Sequence, residues 1–376
     1  MKENKRTILI TGGAGFVGHH VVEHFMKNTL DDILIVDSLN YSGTLDRLRD
    51  IRMPDGLPIY PYNDRIKVFT YDFTNPCEPN LIKEFKDVTH ILHLGAESHV
   101  DGSIEDPMRF VRSNVVGTVN MLQLARKLDN LELFVYFSTD EVFGPAPLDY
   151  YEDNFDISRG TERVKISFKG YKEDDVHNPK NPYAATKSAG EQMVIAFANT
   201  YGIPCIITRT MNVFGERQHP EKFIPKVIKA VLEGSTVPIH GTPDKKQAGL
   251  RHYIHGRNVG SALLFLLNKR PYLAKSFREV CAYHIVGEIE LNNMELSCDI
   301  NEIIETFDIR NDTNYMNNEY KSEMVDFHSS RPGHDLRYAL DGSKMKGLGW
   351  EPPKTFYQSL TKTVEWYLEN PRWLTQ

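Results

Sequence analysis

Thr7-Ile8-Leu9-Ile10-Thr11-Gly12-Gly13-Ala14-Gly15-Phe16-Val17-Gly18 follows the charged segment Met1 to Arg6 and decides the fold. An apolar strand, Thr7 to Ile10, runs through glycines at 12, 15 and 18 into a segment of helical period, Val17 to Lys27. Lacking side chains, the loop lets backbone approach a diphosphate, and the helix start directs N–H groups and its positive end at it. A glycine triplet alone is a weak signal. Between a strand and a helix it marks Gly12, Gly15, Phe16, Val17 and Gly18 as a dinucleotide cradle.

Working outward, Asp37 closes the next apolar run, Ile33 to Asp37, about 20 residues on, where a carboxylate accepts hydrogen bonds from both hydroxyls of an adenosine ribose. It repels a 2'-phosphate, so NAD is expected rather than NADP. Asp72, closing Ile66 to Asp72, is a second acceptor, for the adenine amino group. Further strands are read at His90 to Gly95, Leu133 to Thr139 and Cys205 to Asn212, with helices at Pro107 to Lys127 and Tyr183 to Tyr201. This alternation predicts an α/β fold, a doubly wound parallel sheet.

Past Gly215 the rhythm changes to Lys222 to Glu233 (helix), Val237 to His240 and Arg251 to His255 (strands), Asn258 to Leu267 (helix), Tyr283 to Val286 (strand) and Phe356 to Leu368 (helix). We read 1–215 as the cofactor domain and 216–376 as a smaller α/β substrate lobe interleaved with it. Two stretches read as loops: 145–181, an insertion that is either a lid or solvated surface, and Asp308 to Glu319.

Composition narrows the function. The chain has 376 residues, 44 Lys+Arg against 51 Asp+Glu and a net charge of -7. That argues against nucleic-acid binding, which needs a dense basic face, but not against a small phosphate ligand held by local cations. Cys77, Cys205, Cys281 and Cys298 show no CxxC pairing and read as reduced thiols. The first apolar run is too short for a signal peptide and no window approaches the ~20 apolar residues of a membrane span, so a cytoplasmic location is expected. His20-Val21-Val22-Glu23-His24 fits a zinc-peptidase pattern, H-x-x-E-H. It lies in the helix that packs behind the glycine loop, without a separate acidic ligand segment, and we read no metal there.

Tyr183-Ala184-Ala185-Thr186-Lys187 puts Tyr and Lys on one helical face, where an ammonium is expected to lower the phenol's proton affinity. With the glycine loop, this pair resembles the extended short-chain dehydrogenase/reductase family, a Rossmann domain with a C-terminal substrate lobe. The resemblance implies Tyr183 as acid/base and Lys187 as the residue holding the nicotinamide ribose. Phe137-Ser138-Thr139-Asp140-Glu141-Val142 adds two adjacent acids at the carboxyl edge of the sheet, which implies extra proton chemistry.

Ser138-Thr139-Asp140-Glu141-Val142 resembles the nucleotide-sugar 4,6-dehydratases, those acting on dTDP-glucose above all. So do Ala96-Glu97-Ser98-His99-Val100-Asp101, Phe214-Gly215, Pro220-Glu221-Lys222, Arg331-Pro332-Gly333-His334-Asp335 and Thr363-Val364-Glu365-Trp366-Tyr367. The resemblance implies that Tyr183 and NAD oxidise carbon 4 of the sugar, with Thr139 orienting its hydroxyl. Glu141 then takes the proton from carbon 5, Asp140 protonates the leaving hydroxyl of carbon 6, and the hydride returns to carbon 6. Arg251 and Arg331 are expected at the diphosphate, with Lys222, and Ser98, His99, Asn212 and His334 at sugar or phosphate.

A homodimer through the helices Pro107 to Lys127 and Tyr183 to Tyr201, and a deoxysugar route such as rhamnose synthesis, are family-level implications. Gly102 and Met211-Asn212-Val213-Phe214-Gly215-Glu216-Arg217 depart from the family pattern on ligand-facing segments, so substrate identity stays open between dTDP- or UDP-glucose and a 2-acetamido sugar on UDP. A nucleotide-sugar 4-epimerase or decarboxylase is the competing enzyme class, and would not need the Asp-Glu pair.

Overall fold

The computed structural model describes residues 5–40, 42–147, 170–273, 280–311, 320–326 and 336–375. Its frame is a seven-stranded sheet of β1 (Thr7–Thr11), β2 (Asp32–Asp37), β3 (Ile66–Thr70), β4 (His90–His93), β5 (Leu133–Thr139), β6 (Cys205–Thr210) and β10 (Cys281–Ile285). The order is β10-β6-β5-β4-β1-β2-β3, all pairs parallel. The direction of winding reverses between β1 and β4, and ligands bind outside the carboxyl ends of the strands at such a point.

Both faces are covered because the strands are apolar on both sides. Ile8, Ile10, Ile33 and Ile35 pack on Val21, Val22 and Phe25 of α1 (Phe16–Asn28) and on Val259 and Leu263 of the helix Gly256–Leu273. Leu9, Leu34, Val36 and Ile91 face the other way, toward Met121 and Leu122 of the helix Thr118–Ala125 and Val194 of the helix Pro182–Tyr201.

A second core joins Ile224, Val227, Ile228 and Val231 of the helix Phe223–Glu233, Leu296, Ile300 and Ile304 of Asn293–Asn311, and Leu360 and Val364 of the C-terminal helix Phe356–Glu369. Two small sheets flank it: β7 (Asn212–Phe214), β9 (Leu250–His255) and β11 (Glu290–Asn292) in the order β11-β9-β7, and β8 (Thr236–Gly241) paired with β12 (Lys321–Asp326). Among the described residues no helix is long and apolar enough to cross a membrane.

Several elements differ from the sequence reading. The run Cys205 to Asn212 breaks at Met211, where the chain leaves the large sheet; β7 pairs with β9 instead. The strand expected at Tyr283 to Val286 and assigned above to the second lobe is β10, which ends at Ile285 and pairs with β6, so the chain crosses back into the first sheet. β3 stops at Thr70, and the Asp72 carboxylate accepts from Thr74 N at 2.9 Å, opening a turn. The helix expected over Pro107 to Lys127 contains a π-helical stretch, Val111–Gly117, between Pro107–Phe110 and Thr118–Ala125. Asp308 to Asn311 is helix, not loop: Ile300, Ile304 and Phe307 are buried at helical spacing and carry the last turn with them.

Candidate active site

A cleft of about 870 Å³ opens at the carboxyl ends of the strands. Gly12, Gly15, Phe16, Val17, Gly18, Asp37, Asp72, Ser98, His99, Thr139, Asp140, Glu141, Tyr183, Lys187, Asn212 and Lys222 all line it. The structure therefore brings together most of the residues singled out from sequence. Arg331 and His334, and residues 148–169 of the insertion read as a lid, lie outside the described residues.

The floor shows why the cradle is built of glycine. Gly12 has φ +69°, and a Cβ there would lie 2.8 Å from Gly95 Cα; one at Gly18 would lie 2.0 Å from Gly12 O. No side chain caps the start of α1 and its first turn carries no acid, so charge and N–H donors at that end suit a diphosphate. Asp37 is buried at the end of β2 and accepts from Ala14 N (3.0 Å) and Leu39 N (2.9 Å). Burial raises its proton affinity, and those hydrogen bonds work against the rise. Shape, helix end and carboxylate fit an adenine dinucleotide.

The acidic pair sits on a tight turn. β5 ends at Thr139 and passes into a 3-10 turn, Asp140–Phe143, whose first N–H groups lack helical partners. The Thr139 hydroxyl donates to Asp140 Oδ1 at 3.0 Å. Asp140 is 5% exposed, and its pKa is pushed up to about 7 by burial first and by the neighbouring Glu141 second. It thus holds a proton near neutrality while lying beside a second carboxyl group, the arrangement an acid/base pair requires.

Asn181 links this turn to the next helix. Its Oδ1 accepts from Ala184 N (2.8 Å), capping Pro182–Tyr201, and its Nδ2 donates to Glu141 Oε2 (2.9 Å). One residue thereby starts the helix bearing Tyr183 and Lys187 and orients the second acid. Sequence reading passed over it, although Asn before Pro at a helix start is a recognisable cap.

Tyr183 and Lys187 lie on the same helix, as expected, but their electrostatics differ from the expectation. Lys187 is buried; its Nζ donates to Phe137 O at 2.6 Å and lies 4.3 Å from the Tyr136 ring centre. Burial pushes its pKa down to about 7, opposed by the Glu191 carboxylate one turn along. The Tyr183 phenol is raised, not lowered: burial and the charges of Glu141 and Asp140 outweigh its hydrogen bond with Thr139. Burial, then the neighbouring carboxylates, sets the phenol's proton affinity, and the spacing of Tyr and Lys registers neither.

On the opposite wall, Asn212 starts β7 and hydrogen-bonds with Tyr253, while Lys222 immediately precedes the helix Phe223–Glu233. Arg251 is not among the residues lining the cleft, yet its charge reaches Asp140 there and opposes the rise in that carboxyl's proton affinity. Its guanidinium donates to the carbonyls of Leu250 (2.7 Å) and Leu336 (2.8 Å) and lies 4.7 Å from the Tyr338 ring centre.

Besides Lys222, three further cations line the cleft: Arg47, Arg109 and Arg112. Arg47 is buried and donates to Ala14 O (3.2 Å) within the glycine loop. Gly102 leaves room for Arg109, whose Nη2 would lie 3.1 Å from a Cβ at that position and is 3.4 Å from Glu97 Oε2. These arginines sit in short polar segments with no motif to announce them.

A family model described as the NAD dependent epimerase/dehydratase family matches residues 8–274. The dTDP-glucose 4,6-dehydratase of Salmonella typhimurium is 34% identical over 376 residues, covering 98% of this chain and 94% of its own. That of Neisseria gonorrhoeae is 32% identical, covering 98% and 97%. A solved dTDP-glucose 4,6-dehydratase of Streptomyces venezuelae, with NAD among its bound ligands, is similar with a TM-score of 0.74 and 31% identity over 98% of both chains. Strand order, glycine cradle and full-length likeness agree: this chain belongs to the NAD dependent epimerase/dehydratase family.

Proposed function

We propose that the chain is an NAD-dependent nucleotide-sugar 4,6-dehydratase that converts dTDP-glucose to its 4-keto-6-deoxy product. The observation that carries this reading is the buried Asp140, holding a proton near neutrality beside Glu141 in the same cleft as Tyr183. An epimerase needs a proton relay at carbon 4 alone, whereas water loss across carbons 5 and 6 needs a base and an acid besides.

Gly12, Gly15, Phe16, Val17 and Gly18 would hold the diphosphate of NAD, and Asp37 and Asp72 its adenosine; when bound, it would supply hydride acceptance and return. Tyr183 Oη takes the proton of the sugar's 4-hydroxyl. A protonated Asp140 leaves one negative charge fewer beside that phenol, which favours its ionisation. Lys187 adds an ammonium on the same helix, at the nicotinamide ribose.

The 4-ketone acidifies carbon 5. Glu141, oriented by Asn181, removes that proton, and Asp140 gives its own to the departing carbon-6 hydroxyl, so the two acids finish with exchanged protonation states and water leaves. Ser98, His99, Asn212 and Lys222 line the sugar and phosphate side. Arg47, Arg109 and Arg112 are the cations positioned to meet phosphates. We assign Arg331 and His334 to the same ligand from their motif.

We further infer a cytoplasmic homodimer serving a deoxysugar route such as rhamnose synthesis. Support for the dimer comes from apolar side chains exposed on the expected helices: Met108 (56%), Val116 (43%), Met193 (36%) and Tyr201 (47%). Light scattering at twice the 43.2 kDa chain mass would agree with it, and a monomer mass would overturn it.

The function is tested by incubating the purified chain with dTDP-glucose, UDP-glucose and UDP-N-acetylglucosamine in heavy water. A 4-keto-6-deoxy product from dTDP-glucose, deuterated at carbon 5, is expected. Turnover of a UDP sugar alone moves the substrate assignment, and an epimer formed without water loss overturns the dehydratase reading.

A further inference from the structure

A second cavity, about 430 Å³, lies behind α1, away from the acid pair, and is lined by His20, His24, Arg217, His255, Arg257 and Trp366 among others. Three strong metal-ligand groups converge there from distant parts of the chain: His20 on α1, Glu216 just after β7, and His255 at the end of β9. Their ligand atoms all lie within 4.8 Å of one another. His255 Nε2 is 3.0 Å from Glu216 Oε2, and His20 Nε2 is 3.9 Å from the same oxygen.

The packing around these groups is built to admit them. His20 is 2% and His255 1% exposed. A Cβ at Gly215 would lie 2.7 Å from His20 Nε2 and 3.0 Å from His255 Nε2, and one at Gly256 would lie 2.4 Å from His20 Cδ2. Any side chain at either glycine would displace an imidazole. His20 Nε2 is nonetheless buried without a hydrogen-bond partner, which costs free energy that a bound ion recovers.

The H-x-x-E-H spacing contains His20, but with the wrong companions. Glu23 pairs with Lys27 at 2.5 Å, and His24 packs against Gly260.

We propose that His20, Glu216 and His255 form a site for a divalent transition cation of the zinc class. Two imidazoles and one carboxylate, with a further position open to the cavity, match that ion's preference for nitrogen and oxygen donors in fourfold coordination.

The His255 ring is oriented by its Nδ1, which accepts from Arg257 N at 3.0 Å, so Nε2 carries the hydrogen facing Glu216. Ligation through Nε2 uses the neutral tautomer with its hydrogen on Nδ1, so on metal binding the hydrogen moves to Nδ1 and the contact from Arg257 N is released. The Arg257 guanidinium, 3.1 Å and 3.3 Å from the two ring nitrogens, swings aside toward the cavity when the ion binds. Arg217 turns its own charge over the Trp366 ring at 4.9 Å.

An ion here ties α1, one turn beyond the residues that border the cofactor cradle, to β7 and β9 of the small sheet. The test uses the full chain, stripped with a chelator and dialysed against Zn²⁺ alone. One equivalent of zinc per chain is expected, with a melting temperature raised by roughly 3 °C or more at saturation.

His20→Gln, His255→Gln and Glu216→Gln should each weaken binding about 10-fold or more. Should a variant fail to fold, Co²⁺ added to the unaltered chain provides the independent measurement: an intense visible band of four-coordinate cobalt is expected. Absence of stoichiometric zinc, binding unchanged in all three variants, or a weak octahedral cobalt spectrum would overturn the site.

Discussion

Replacing Asp140 by Asn tests the electrostatics of the acid pair without disturbing its shape. The amide keeps an acceptor for the Thr139 hydroxyl, 3.0 Å away, and removes only the ability to ionise and to give a proton. Burial and Glu141 push the Asp140 pKa from 3.8 up to about 7 in the folded protein. A rise of that size corresponds to roughly 4 kcal/mol.

The sign follows from linkage. A carboxyl raised on folding favours the native state fully below its unfolded pKa and withdraws that support as pH climbs to the folded value. Wild-type stability should therefore fall relative to Asp140→Asn by about 1.4 kcal/mol per pH unit between about pH 4 and 7, then level off. Urea denaturation of both proteins across that range measures the difference directly.

The same variant should lose about 10² to 10⁴ in dehydration rate, while a single turnover still shows NADH absorbance. A stability difference that is flat with pH, or that opens only well above neutrality, would refute the claim that Asp140 is held protonated.

Glu141→Gln should abolish exchange of solvent deuterium into carbon 5 while NADH still forms on mixing with substrate; exchange that persists means another group is the base. Gly18→Ala should prevent NAD retention through purification, because its Cβ would meet Gly12 O at 2.0 Å; an enzyme purified with full NAD content contradicts the cradle. Arg337→Leu should destabilise the fold by about 3 to 5 kcal/mol in urea, since it strands the buried Glu290 that Arg337 now binds at 2.8 Å. A loss under about 1 kcal/mol would mean that solvent reaches Glu290.

The parts of this molecule legible in sequence are those where backbone geometry restricts residue choice. Gly12 and Gly18 are required by contacts a Cβ would break, and Thr7–Thr11 and Leu133–Thr139 are apolar on both faces because helices cover both. What escaped depends on long-range partners. The Tyr183 phenol is raised by burial first and by Glu141 and Asp140, carried on another element, after it, and not lowered by Lys187 four residues away.

Arg251 matches a family motif, yet its guanidinium is held by Leu250 and Leu336 carbonyls, and Arg47, Arg109 and Arg112 reach the cleft from segments without any pattern. The placement of β10 is hidden because a strand's period identifies it as a strand without saying which sheet it joins.

The central claim is that oxidation, water loss and hydride return occur in one cleft on one bound sugar. It is tested most directly with dTDP-glucose deuterated at carbon 4, mixed with an equal amount of unlabelled sugar and analysed by mass spectrometry and NMR. The account predicts deuterium at carbon 6 of the 4-keto-6-deoxy product, confined to molecules that began with label. Label scrambled between the two populations, or retained at carbon 4 of a 4-hydroxy product, would contradict it.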